Sequence, residues 1–145
     1  MSLDHAGIAA LLPHAGRMCL LSRVIAWDAE GIACAAWSHL EADNPLRRAG
    51  MLPALCGLEY PLQAAALHGA LRDGAAGRAG YVARLREVTT HVKRLDDPAL
   101  GELRAGAVLE GSGPDAVMYA LRLDTLGAGR PLLRARVVVA FGRDG

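Results

Sequence analysis

The chain has 145 residues, 52% of them hydrophobic, which is the usual length of one domain and enough apolar matter for a sizeable core. Charged residues make up 21% and the formal net charge is +1, so a polyanionic partner such as nucleic acid is disfavoured. Aromatics are only 4%, which excludes a stacking platform for bases and points to an aliphatic interior.

Cys19, Cys34 and Cys56 are odd in number and widely spaced, without a CxxC pair, and read as reduced core residues and not as metal or redox ligands. The N-terminus has no basic region ahead of a long apolar stretch, and no apolar run reaches membrane-spanning length. A cytoplasmic protein with no membrane partner is expected.

Asp4 is placed to cap a short helix running to Leu11 or Leu12, and Pro13 should stop it. From Arg17 the pattern changes. MCLLSRVIAWD and GIACAAWSHL suit strands and are separated by AspAlaGluGly, which is good turn chemistry for a first hairpin. The segment from Glu41 to Gly50 is polar, punctuated by Pro45 and Gly50, and reads as a loop.

The next stretch, MLPALCGLEYPLQAAALHGALR, is rich in helix formers, poor in β-branched residues and apolar almost all round. It predicts one long helix buried on most of its surface. Pro61 lacks an amide proton, so regular helix either begins near Tyr60 or is kinked there. Beyond the glycine-rich DGAAGRAG come four strand-like stretches, YVARLREVTTHVKRL, ELRAGAVLEGS, AVMYALRLDTL and PLLRARVVVAFG. AspAspPro, SerGlyProAsp and GlyAlaGlyArgPro separate them as turns. Without repeats or linkers, residues 1–145 read as one α+β domain: a curled antiparallel sheet of about six strands around one long central helix, with a short N-terminal helix. The exposed edges of such a sheet make dimerisation through an edge strand an expectation.

Two motifs add a family resemblance. LeuLeuProHisAlaGlyArgMetCysLeuLeuSerArgValIle, from Leu11 to Ile25, is similar to the opening of the hot-dog fold β-hydroxyacyl-acyl-carrier-protein dehydratases, with Ser22 in place of an Asp. Leu52ProAlaLeuCysGlyLeuGluTyrProLeuGln63 resembles that family's Pro-Gly segment and helix start, where an acid is followed four residues on by Gln. Glu59 and Gln63 fall on those two positions.

The resemblance implies a hot-dog fold and dehydration, or binding, of 3-hydroxyacyl thioesters of acyl carrier protein or coenzyme A in fatty-acid or polyene-type biosynthesis. It implies no metal or organic cofactor, and a homodimer or a heterodimer with another hot-dog subunit. It makes Glu59 the catalytic acid, with Ala54 at the position whose backbone amide polarises the thioester carbonyl. His14 matches a residue regarded as architectural. The chain departs from the pattern at the histidine of the family's His-Phe-Pro-Gly type loop, since Pro45 stands at that spacing. His39 is the nearest substitute.

The local chemistry agrees with an acid at Glu59, because a carboxyl group in so apolar a segment is raised in pKa if buried. Otherwise Glu59 is a solvated helix-start residue favourable to the macrodipole. Gln63, one turn on, faces the same way and either bonds Glu59 or substrate or is a surface amide. Arg47 and Arg48 border the helix start and either attract a carrier protein or phosphopantetheine phosphate or are a solvated pair. His68 is expected to pack or cap, and His91 to be exposed. Two other functions remain: a hot-dog acyl thioesterase in which Glu59 activates water, and a non-catalytic subunit that completes a partner's site.

Overall fold

The computed structural model describes residues 3–12, 18–73 and 80–141. Pro13, His14 and most of the DGAAGRAG loop lie outside the described residues. Helix α1 spans His5–Leu11, and the Asp4 side chain accepts a hydrogen bond from the Gly7 amide, as its sequence position requires. Strands β1, Arg23–Trp27, and β2, Gly31–Ala36, form the first hairpin. Asp28 Oδ1 accepts from the amides of Glu30 and Gly31 at 2.8 and 3.0 Å, which closes the turn. The first strand is shorter than expected, because residues 18–22 are held mainly by side chains and by a Ser22 amide to Ala35 oxygen bond.

The long helix has two parts. A 3₁₀ segment covers Ala54–Leu58 and helix α2 covers Glu59–Asp73, so Pro61 falls in the first turn of α2, where its missing amide proton breaks no bond. Strands β3, Gly80–Thr90, β4, Leu103–Ser112, β5, Ala116–Thr125, and β6, Pro131–Phe141, complete a six-stranded antiparallel sheet in the order β1-β2-β4-β5-β6-β3.

Helix α2 packs on β4, β2 and β5, and buries Tyr60, Ala64, Ala65, Leu67 and Ala70 among Ala105, Ala107, Leu121 and Leu123. Cys19 and Cys34 are buried free thiols, and Cys56 is half-buried. Burial pushes the Cys34 thiol up to about 12, so it behaves as a small core residue. Among the described residues no helix is long and apolar enough to cross a membrane.

Candidate functional site

Glu59 is the first residue of α2 and is half-buried. Among the described residues no group hydrogen-bonds its carboxylate, which leaves both oxygens available to a ligand or a partner. The 3₁₀ segment ahead of it is held by a second piece of chain. Leu95 donates its amide to the Leu52 oxygen at 2.8 Å, Ala54 donates to the Lys93 oxygen at 3.1 Å, and the Leu52 amide reaches Asp96 Oδ1 at 3.0 Å.

The amide expected to polarise a thioester carbonyl, that of Ala54, is bonded to the Lys93 carbonyl in this structure. Gln63 also differs from both of its readings. It is 5% exposed, its Oε1 accepts from the Leu20 amide at 2.9 Å, and its Nε2 donates to the Met18 oxygen. Gln63 therefore straps the chain before β1 onto α2 and does not bond Glu59.

His39 sits in a 3₁₀ turn, Ser38–Leu40, with no exposed surface. The Gly101 carbonyl can only accept, so the 2.8 Å contact places the proton on Nε2 and leaves Nδ1 bare. Nδ1 is buried and has no hydrogen-bond partner among the described residues. Burial lowers the pKa of the ring, opposed by the Gly101 bond and reinforced by the Arg47 charge. One nitrogen is committed and the other sealed, so the ring in this arrangement presents no atom to a substrate.

Arg47 is similarly occupied. Its guanidinium donates to the oxygens of Glu41, Gly50 and His39 at 2.8, 3.2 and 3.4 Å and lies 3.6 Å from Asp96 Oδ2. Arg94 binds the same carboxylate, at 3.0 Å through Nε and 2.5 Å through Nη2, and holds its pKa well below the usual carboxylate range. Arg47 thus shapes the loop before α2 and is not held out for a phosphate. His91 is exposed, and His68 is buried between Tyr119, 2.7 Å from Nδ1, and the Asp28 oxygen, 2.7 Å from Nε2.

Sequence reasoning missed a polar knot at the start of α2. The Ser38 hydroxyl donates to the Leu20 oxygen at 2.8 Å, so the Tyr60 hydroxyl, 2.8 Å from Ser38 Oγ, must donate to it. Asn44 Nδ2 donates to the Ser38 oxygen and to Tyr60, while its Oδ1 accepts from the Leu46 amide. Burial pushes the Tyr60 phenol up to about 12 and keeps it a donor. Beside this knot a cleft of about 520 Å³ opens between His5, Cys19, Ser22, Glu41, Asp43 and Asn44. Glu59, His39, Gln63, Ala54 and Arg47 do not line it. In the sequence, only the Asn44 to Pro45 step signalled a fixed loop here.

The ApeP-like family, described as ApeP dehydratase, matches residues 6–143. The chain belongs to the ApeP-like dehydratase family. Among curated proteins no sequence matches it. Among solved structures, the dehydratase heterocomplex ApeI:P from Xenorhabdus doucetiae is similar, with a TM-score of 0.78 at 19% identity over 94% of this chain and 91% of that one. AziG from S. sahachiroi gives 0.66 at 17% identity over 92% and 99%. A hypothetical thioesterase with coenzyme A from Streptococcus pneumoniae gives 0.58 at 12% identity over 82% and 84%. These likenesses establish the hot-dog fold, dehydratases and thioesterases alike. Within the ApeP-like family this chain is a dehydratase-type hot-dog protein whose motif acid, Glu59, is open and whose nearest loop histidine, His39, is closed off.

Proposed function

We propose that this ApeP-like chain is one half of a dehydratase, holding a 3-hydroxyacyl thioester of acyl carrier protein or coenzyme A and supplying Glu59 to a site completed by a different hot-dog subunit. The observation that carries this reading is the contrast between the unpaired, half-buried carboxylate of Glu59 and the fully buried ring of His39. Dehydration needs two groups. A base takes the proton alpha to the thioester carbonyl, while an acid protonates the departing 3-hydroxyl, giving a 2,3-enoyl thioester and water. Glu59 in its protonated form fits the acid, and His39, the nearest stand-in for the family's loop histidine, is buried with Nε2 on the Gly101 oxygen, so the base is assigned to the second subunit. The likeness to a structure described as a dehydratase heterocomplex supports a division of labour between unlike subunits.

The test is to assay the purified chain on a 3-hydroxyacyl carrier-protein thioester, alone and with a second hot-dog dehydratase subunit. Slow turnover alone and a large rise on mixing, lost again in Glu59→Gln, supports the proposal. Robust dehydration by the chain alone, abolished by His39→Ala, overturns it. Hydrolysis of acyl-coenzyme A by the chain alone would instead assign the thioesterase reaction.

A further inference from the structure

Leu103, Ala105, Leu121, Leu123, Leu133 and Ala135 belong to the core, so the residues that alternate with them on β4, β5 and β6 face away from α2. Arg104, Arg122, Asp124 and Arg134 stand on that outer face. The register sets Arg104 opposite Asp124, and sets Arg122 between Gly106 on one side and Arg134 on the other. Arg122 Nε donates to Asp124 Oδ2 at 2.9 Å, and Arg134 Nη2 lies 2.7 Å from Asp124 Oδ1. Arg134 Nη1 also donates to the Leu133 oxygen at 2.8 Å, which holds the guanidinium flat against the sheet.

The carboxylate lies beneath the cluster and is not part of its surface. The Asp124 side chain is 3% exposed, against 45% for Arg122 and 34% for Arg134. Arg104 is half-buried, and its guanidinium makes no hydrogen bond or ion pair among the described residues. Two other carboxylates of this face are engaged elsewhere, Glu102 with Arg23 at 3.3 Å and Glu110 with Arg136 at 3.4 Å. Gly106 gives the cluster its room. A Cβ there would stand 2.9 Å from Arg122 Cγ and 3.2 Å from its Cδ, so the bare glycine lets the Arg122 stem lie across the strand that carries Arg104. Three guanidiniums therefore surround one buried carboxylate, and the surface they present to water is cationic.

We infer that Arg104, Arg122 and Arg134 form an oxyanion site on the outer face of the sheet, fitted to a phosphoryl group. A planar guanidinium donates paired N–H groups to phosphate oxygens, and a side chain already held by a carboxylate loses little freedom when it does so. Donors remain for this purpose. Arg122 spends only its Nε on Asp124, Arg134 keeps its Nε, and Arg104 keeps all of its donors. A phosphoryl dianion balances the excess of guanidinium over carboxylate better than a monoanion does. The site does not depend on the role of Glu59, because α2 packs on the opposite face of the sheet.

Titration calorimetry of the whole chain at constant ionic strength, with inorganic phosphate and with adenosine 5′-monophosphate as probes, should show saturable binding. Arg104→Gln removes a side chain without a partner, so it costs little stability, and it should weaken binding by about tenfold or more. Arg84→Gln is the control. Arg84 is exposed, stands opposite the outward Val138, and lies three strands from Arg104. That separation is about 14 Å, beyond the screening length at physiological salt, so this variant should bind within about twofold of the wild type. Equal affinities for the two probes assign the site to phosphate itself, and tighter binding of the nucleotide assigns it to a nucleotide-borne phosphoryl group. No saturable binding of either probe by the wild type, or equal losses in the two variants, overturns the inference.

Discussion

His39 Nε2 donates to the Gly101 carbonyl oxygen at 2.8 Å, a bond that fastens the loop before α2 to the turn that opens β4. The same bond occupies one ring nitrogen and ties the ring into the fold, while the other nitrogen is buried without a partner among the described residues.

A pH dependence of stability follows. Burial lowers the pKa of His39 from the ordinary 6.5, so below that value the unfolded chain binds a proton that the folded chain resists. The contribution is fully present above pH 6.5 and is lost as pH falls from there towards the depressed folded value. Urea unfolding at pH 7.5 and 5.5 should show a lower midpoint at the acid pH. His39→Gln, which keeps a donor for Gly101 but does not titrate, should flatten that difference. An equally steep fall in the variant would place the proton uptake elsewhere. The Asp96 carboxylate does not confuse the result, since its pKa is held far below this window by Arg94 and its contribution is lost only at much lower pH.

How far the sequence reaches is visible in these residues. The cap at Asp4, the Asp28 turn, the separators of β3 to β6 and the place of Pro61 are local features, and each appears where a few neighbouring residues demand it. Gln63 bonds Leu20, 43 positions away, and His39 bonds Gly101, 62 positions away. No local pattern announces such pairs, because any amide or imidazole in an apolar stretch is compatible with a ligand and with a distant carbonyl alike. The bond made by the Ala54 amide was hidden for the same reason. Its partner, the Lys93 oxygen, comes from the segment after β3, which the motif around Pro53 does not contain.

Glu59→Gln should separate chemistry from folding. The carboxylate carries no hydrogen bond within the described structure, so its loss removes little support, and thermal unfolding should be nearly unchanged. Turnover by the proposed two-subunit enzyme should fall by a factor on the order of a hundred or more if Glu59 is the proton donor. Unchanged turnover would remove Glu59 from the reaction.

Gln63→Ala should behave in the opposite way. It strips the partners from the Leu20 amide and the Met18 oxygen, and a buried backbone group left unpaired costs about 1–3 kcal/mol. A loss of about 2–4 kcal/mol in urea unfolding is therefore expected. A loss below about 0.5 kcal/mol, the range of ordinary surface substitutions, would mean that water readily replaces the amide.

Gly57 sets how closely the segment ahead of Glu59 approaches the sheet. A Cβ at this buried position would stand 2.5 Å from Leu95 Cδ1 and 3.0 Å from Leu123 Cδ2, so an alanine requires the leucines or the 3₁₀ segment to shift. Gly57→Ala should destabilise the fold by about 1–3 kcal/mol, the usual effect of overpacking a filled core. The Leu95 side chain is the nearer obstacle, and removing one of its carbons makes room. Leu95→Val alone should also destabilise, through the lost methylene, but the double variant should be more stable than the sum of the two losses implies. A double-mutant cycle in urea measures that difference. A coupling of about 1 kcal/mol in the favourable direction is expected for residues in contact. Strict additivity would show that the backbone from Ala54 to Leu58 moves away from Leu95. In that case Glu59, the next residue, is displaced with it, and turnover of the proposed two-subunit enzyme should fall more than stability does.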